Sequence, residues 1–178
     1  MAEKVIELIL NDYDAFVEYK KENSDIEATE ADFSGMSFEN ADFSNIDFSG
    51  TSFTEATLTN VNFEDCDLTS VDFSRANLSE CNFSGSLLNG TIFNYATVDF
   101  CNFNECDMAG CNLAEADLSN SDFSTSENLE SARFDESTVW PDDDKLPEDF
   151  DCTYNYDLSS LREDEENSSE RSEERRVG

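Results

Sequence analysis

The sequence predicts an all-β solenoid built of five-residue units and capped at its N-terminal end by an α-helix. Three observations carry this prediction: nineteen consecutive five-residue blocks without a gap from 31 to 125, an apolar residue third in every block, and an amphipathic stretch just before them. A period of five matches neither the 3.6-residue helix nor the two-residue strand, so each block joins a short extended piece to a bend.

Taken in order, residues 1–25 are expected to form the N-terminal capping helix. Within them, residues 3–22 place Ile6, Ile9, Leu10, Tyr13, Phe16 and Val17 on one helical face, with Glu7, Asp14, Glu18 and Lys21 elsewhere. A solenoid leaves open sheet edges and a bare core cross-section at each end, and such a helix covers them.

The β-helix is expected over 26–140. Ile26 and Ala28 begin a first partial coil in phase with Ala31. From there the third position is Phe in eleven blocks and Leu in six, with Val98 and Met108 completing the nineteen. The first position is small or medium, apart from Met36 and Ile46. First and third residues of an extended piece share a face, so both point inward. Asp or Asn in the second position, and Ser or Gly at the bend, suit tight turns through side-chain bonds to nearby backbone or tolerance of positive φ. After Thr125 the frame slips by one residue, which predicts a bulge near Ser126, and blocks centred on Leu129, Phe134 and Val139 follow.

Residues 141–166 are expected to form a C-terminal cap loop and a short helix from Asp157, with Trp140-Pro141, Leu146-Pro147 and Phe150 plugging the last coil. Residues 167–178, charged and poor in apolar side chains, read as a disordered tail.

The 178 residues include 43 acidic side chains, 10 basic ones and no His, for a formal net charge of -33. Such a surface repels nucleic acid and anionic membrane, which removes both as direct ligands. Glu7, Asp12 and Asp14 interrupt the first apolar stretch, so neither a secretory signal nor a spanning helix fits, and a cytoplasmic location is expected. Five of the six Cys (Cys66, Cys81, Cys101, Cys106 and Cys111) take the first position of a block, which predicts buried thiols rather than a disulfide framework. No His is present to act as a base, and Ser and Asp are explained as corner residues, so the chain reads as a non-enzyme without cofactor. Cys101, Cys106 and Cys111 read as core filling rather than a zinc site. Asp142-Asp143-Asp144 lacks the Gly and terminal Glu of a calcium loop and reads as a solvated turn.

Blocks such as Ala41-Asp42-Phe43-Ser44-Asn45 and Ala76-Asn77-Leu78-Ser79-Glu80 follow A(D/N)(L/F)xx, and the chain thereby resembles the pentapeptide-repeat proteins over about half its length. The resemblance implies a right-handed quadrilateral β-helix with four blocks per coil, so that Cys81 stacks on Cys101 one coil later. It also sorts the carboxylates by face. Asp42, Glu64, Asp65, Glu105 and Asp122 share the third face, and the other three faces are acidic as well.

Some members of that family are DNA mimics that occupy the DNA-binding surface of gyrase and protect it from quinolones; their Phe-rich centres and inward Cys are similar to these, whereas their projecting loops have no counterpart here. Residues 31–125 hold 16 acidic side chains and one basic one, Arg75. Over 4.75 coils of about 4.8 Å, that is roughly one negative charge per 1.5 Å, against about 1.7 Å per charge in duplex DNA.

Two functions follow as expectations. The first is an anionic, DNA-like rod, monomeric or homodimeric, that binds DNA gyrase, another type II topoisomerase or another basic DNA-binding protein. The second is a scaffold or adaptor that docks a protein through an apolar belt, because Ser86 to Tyr95 carries no charge and turns Leu87, Ile92 and Tyr95 outward, with Phe100 following.

Overall fold

The computed structural model describes residues 2–152. The helix expected from Asp157 and the tail expected over 167–178 lie outside the described residues.

The N-terminal cap is two helices where one was expected, α1 over Ala2–Asn11 and α2 over Tyr13–Glu22. Asp12 is the reason. Its side chain accepts the Ala15 N–H at 3.1 Å, so it serves as the N-cap of α2 with a non-helical backbone, φ -152°. The break re-aims the apolar face: Val5 and Ile9 of α1 and Phe16 of α2 are buried, whereas Leu10, expected on the inward face, is exposed. Phe16 meets Phe43 edge-on at 6.0 Å and so places α2 over the first coil.

Beyond the cap, parallel pairing recurs at a spacing of twenty residues, which is four blocks. Strand β1 (Ile26–Glu27) pairs with β3 (Ile46–Asp47), in phase with the blocks as the sequence implied. Strands β2 (Ser37–Glu39), β4 (Thr57–Thr59), β5 (Asn77–Ser79) and β6 (Thr97–Asp99) form a four-stranded sheet in that order. Elsewhere the turns are tied by single bridges such as Asn62 to Asn82 and Asp72 to Ile92. There the bend comes sooner, because the N–H opening the next block bonds back to the third-position carbonyl, as from Val71 to Leu68 at 3.1 Å and from Ala76 to Phe73 at 3.0 Å.

The interior explains an alternation that the inward third position alone did not. From Phe53 to Phe93 large and smaller third residues alternate, because Phe53, Phe73 and Phe93 fall on one side and Phe63, Phe83 and Phe103 on the opposite side. Along the second column the rings stack at 5.1 Å and 6° (Phe63–Phe83), 4.8 Å and 8° (Phe83–Phe103), and 4.5 Å and 4° (Phe103–Phe123). Across the core they meet edge-on, as Phe63 and Phe73 do at 6.0 Å and 78°. Leu58, Leu68, Leu78 and Leu88 fill the other two sides and are fully buried.

First-position residues do more than fill space. The hydroxyls of Ser86 and Thr91 donate to the carbonyls of Phe63 (2.6 Å) and Leu68 (2.7 Å), each 23 residues earlier. Cys66, Cys106 and Cys111 make the same bond through Sγ, to Phe43, Phe83 and Leu88. Ser, Thr and Cys are therefore interchangeable there as small groups with a proton to give. Burial pushes the thiols of Cys66 and Cys106 up to about 12. The contact with Cys81, and then burial, push Cys101 up as well. The thiolate is the reactive form, so at pH 8 these groups are expected to ignore a thiol reagent; Cys81, which the Cys101 contact lowers instead, is shielded from it by burial, while the exposed Cys152 reacts. A native titration should count one fast thiol, and six in denaturant; several fast thiols in the native chain would contradict the inward slot.

The C-terminal end departs from expectation twice. The pairing distance grows from 20 residues (Asp107 to Glu127) to 21 (Asn112 to Arg133) and 22 (Asp117 to Val139). The first extra residue is Asn128, left-handed at φ 57° ahead of the turn Leu129–Ser131, so Ser126 still fills its inward slot and the bulge comes two residues after the expected place. A second slip puts Thr138 inside and Val139 outside, 48% exposed, which overturns the block centred on Val139. Trp140 then sits against Phe134 (5.1 Å), Phe150 (5.1 Å) and Phe123 (6.3 Å), forming the aromatic plug.

Candidate functional site

Because the described surface is dominated by carboxylates, the site is best built from the two block positions that supply most of them. Second-position side chains are acceptors for the backbone two residues on. Asp47 takes the Ser49 N–H at 2.8 Å, Asp72 that of Ser74 at 2.8 Å, and Asn82 that of Ser84 at 3.2 Å. Asn does this as well as Asp, so the corner requires the acceptor oxygen and not the charge.

From Asp25 to Glu115, fifth-position residues take positive φ. Gly85 shows why glycine suits one of them: at φ 72°, an added Cβ would lie 2.5 Å from the Asp65 carboxylate leaning over it. Yet Glu30, Glu55, Glu80 and Glu105 occupy equivalent corners at φ 55° to 62°. A left-handed backbone costs a non-glycine residue about 1–2 kcal/mol, and Asn bears it better than Glu. All four side chains are exposed, and among the described residues none is paired with a cation. Sequence reasoning passed over Glu30, Glu55 and Glu80 as site residues. The readable signal was their 25-residue spacing in a position that otherwise favours Gly and Asn.

The five carboxylates singled out on the third face divide in two. Glu64, Asp65 and Glu105 are exposed. Asp42, itself exposed, and the half-buried Asp122 are held by the two caps, through Lys20 at 2.8 Å and Lys145 at 3.3 Å. Between them runs a side-chain ladder in which Asn102 donates to Asn82 (3.1 Å), Asn82 to Asn62 (3.2 Å) and Asn62 to Asp42 (3.4 Å). Burial works to raise the Asp42 carboxyl, but the bonds from Lys20 and Ser44 outweigh it and hold it below the ordinary range. Asp122 is held low in the same way, burial being overcome by the Ser124 N–H and hydroxyl and by Lys145. Both carboxylates are thus already committed to fixing the ends of the shaft. Asp142, Asp143 and Asp144 are exposed, and Asp143 begins the short 3-10 turn that carries Lys145.

Of the four residues expected to form an apolar belt, Leu87, Tyr95 and Phe100 are exposed and Ile92 is half-buried. Leu87 and Ile92 bridge to different columns, Asp67 and Asp107 for the first, Asp72 and Asn112 for the second. Tyr95 and Phe100 are successive corners at φ 61° and 53°, exposed by 48% and 64%. The Arg75 guanidinium lies 5.1 Å from the Tyr95 ring centroid, so the one cation of the central repeats is spent on a ring. The structure therefore does not gather Leu87, Ile92, Tyr95 and Phe100 into one patch. No helix among the described residues is long and apolar enough to cross a membrane.

The family model described as a pentapeptide repeat region matches residues 23–93, and the model described as pentapeptide repeats matches residues 91–127 and 101–138. No curated protein matches the chain. Among solved structures, it is similar to a pentapeptide repeat protein (Rfr23) from the cyanobacterium Cyanothece 51142, at 20% identity, covering 64% of this chain and 90% of that one, with a TM-score of 0.48. It is also similar to a pentapeptide repeat protein from the Arabidopsis thaliana thylakoid lumen, at 24% identity, 52% and 67% coverage and a TM-score of 0.42. A third similar structure is QnrB1, a plasmid-mediated fluoroquinolone resistance protein, at 16% identity, 64% and 72% coverage and a TM-score of 0.32.

Proposed function

We propose that this chain, which belongs to the pentapeptide-repeat family, is a non-enzymatic anionic rod that binds a protein by standing in for duplex DNA in a basic groove. The proposal takes the stacked turns to be the right-handed quadrilateral β-helix that family membership implies. DNA gyrase, or another type II topoisomerase, is the partner class the family resemblance supplies.

The observation that carries the reading is the set of unpaired corner carboxylates at Glu30, Glu55, Glu80 and Glu105. The fold does not ask for them, since Gly or Asn would suit the backbone better, so their charge is what they contribute. Each is one coil and one face beyond the last, and with about 4.8 Å per coil the four trace a right-handed path rising about 6 Å per step. Together with the exposed Glu64 and Asp65, they are the unpaired part of the acidic set that gives the shaft its DNA-like charge density.

A supercoiling assay tests the narrow form, and capture from lysate at low and high salt tests the broad one. The rod should inhibit gyrase-catalysed supercoiling, and its captured partners should be basic proteins released between about 50 and 200 mM salt. Untouched supercoiling removes gyrase; partners that survive high salt remove the DNA-like mode altogether.

One observation favours a second reading, docking through the belt. Phe100 is 64% exposed on a left-handed corner, where an aromatic ring gains nothing from the fold. Binding in that mode should persist in high salt and be lost in Phe100→Asn.

A further inference from the structure

The N-terminal cap closes the shaft unevenly. On one side β1 covers β3, and on another the Asp42 N–H donates to the Tyr13 hydroxyl at 2.7 Å. On the far side of Asp42 from β3, and not covered by β1, lies β2, the outermost strand of the four-stranded sheet. The residues one turn earlier, 17–19, belong to α2 and supply no strand.

Stacking fixes which groups this leaves exposed. Thr57 N–H bonds back to the Met36 carbonyl at 2.8 Å, and Asn40 N–H reaches forward to the Thr59 carbonyl at 3.0 Å. Alternate residues of a parallel strand serve alternate neighbours, so the N–H and C=O of both Ser37 and Glu39 face the missing turn. Among the described residues, no strand pairs with that edge.

Directly beside the edge is a cleft of about 460 Å³ lined by Ile9, Leu10, Tyr13, Met36, Phe38 and Ala41. Its floor corrects two sequence expectations. Met36, in an inward slot, is 37% exposed, and Phe38, in a core slot, is only half-buried. Leu10 on the opposite wall is 39% exposed.

We infer that this edge and cleft form a docking site for an extended segment of a partner protein, added as one more parallel-register or antiparallel strand beside β2. The register dictates the segment's chemistry. A residue paired with Phe38 points inward, as Phe38 does, and must be apolar to fill the cleft. Its two neighbours point outward over Ser37 and Glu39, and the Glu39 carboxylate selects Lys or Arg there. The recognised pattern is therefore an apolar residue with Lys or Arg beside it on the Glu39 side, and a test peptide basic on both sides presents it in either strand direction. A second copy of this chain fits poorly, since it would bring one surface of net charge -33 against another.

The test uses the full chain and a blocked peptide, acetyl-Thr-Lys-Phe-Lys-Thr-amide, titrated at 150 mM salt with amide hydrogen exchange as the readout. The peptide is expected to half-saturate below about 1 mM and to slow exchange of the Ser37 and Glu39 amides at least about tenfold. Replacing its Phe by Asp should abolish both effects. Leu10→Lys and Met36→Lys, at already exposed walls, should weaken binding about tenfold with the thermal melt unchanged. The inference is overturned by no binding at 1 mM, by binding that leaves the two amides unprotected, or by equal binding of the Asp peptide. It is equally overturned if the two amides are already protected in the free chain, or if concentration-dependent self-association protects them. Protection of the Ser37 and Glu39 amides reports on this edge and not on the charged shaft, so the DNA-like reading stands or falls separately.

Discussion

Phe83→Ala is expected to destabilise the chain by about 4 kcal/mol, a core truncation at the severe end of the usual range. Phe83 is fully buried, stacked between Phe63 and Phe103 at 5.1 and 4.8 Å, and edge-on to Phe73 and Phe93. Its neighbours are tied by backbone bonds to the turns 20 residues before and after and cannot collapse into the hole, so the cavity persists. Each turn touches only the turns before and after it, so a weak central layer also uncouples the two halves. Urea unfolding followed by intrinsic fluorescence should show a lower midpoint and a broadened or split transition. Phe38→Ala is the internal control, because its ring is half-buried and should cost less than half as much. Equal losses at the two sites would mean that the Phe column is not the structural axis.

The second large effect is on binding with stability held. Combining Asp47→Asn, Asp67→Asn and Asp72→Asn with Glu55→Asn, Glu80→Asn and Glu105→Asn removes six negative charges. The three Asp changes keep the acceptor oxygen that bonds the N–H of Ser49, Thr69 and Ser74. The three Glu changes place a better left-handed residue at φ 57° to 62°. Stability should therefore be equal or slightly higher. Affinity for a basic partner groove should nonetheless fall about a hundredfold at 0.1 M salt, and the salt dependence should flatten. Calorimetric melting and a salt series of binding isotherms separate the two outcomes. A variant that binds as the parent does would show that the acidity is compositional, with Asp merely a corner residue.

How far the sequence could be read varied with the range of the interaction involved. The inward direction of Phe63 or Cys106 follows from its place in a five-residue block, a rule acting over a few bonds. The same rule places the aromatic plug, because Trp140 and Phe150 are large apolar groups beyond the last regular block. It failed where the period itself breaks. Asn128 and the residues before Thr138 each absorb one extra position, and a repeat offers no phase across such slips.

The sequence by itself determined the five-residue units, their inward third position and the abundance of surface carboxylate, since each is set by residue type and spacing within a block. Only the tertiary structure decided which carboxylates are free. Lys20 and Lys145 lie 22 and 23 residues from Asp42 and Asp122, and whether they meet depends on how each cap seats on its end of the stack. Cap seating also decided that Phe38 stays half-open. Both depend on contacts between turns and caps that no local period encodes.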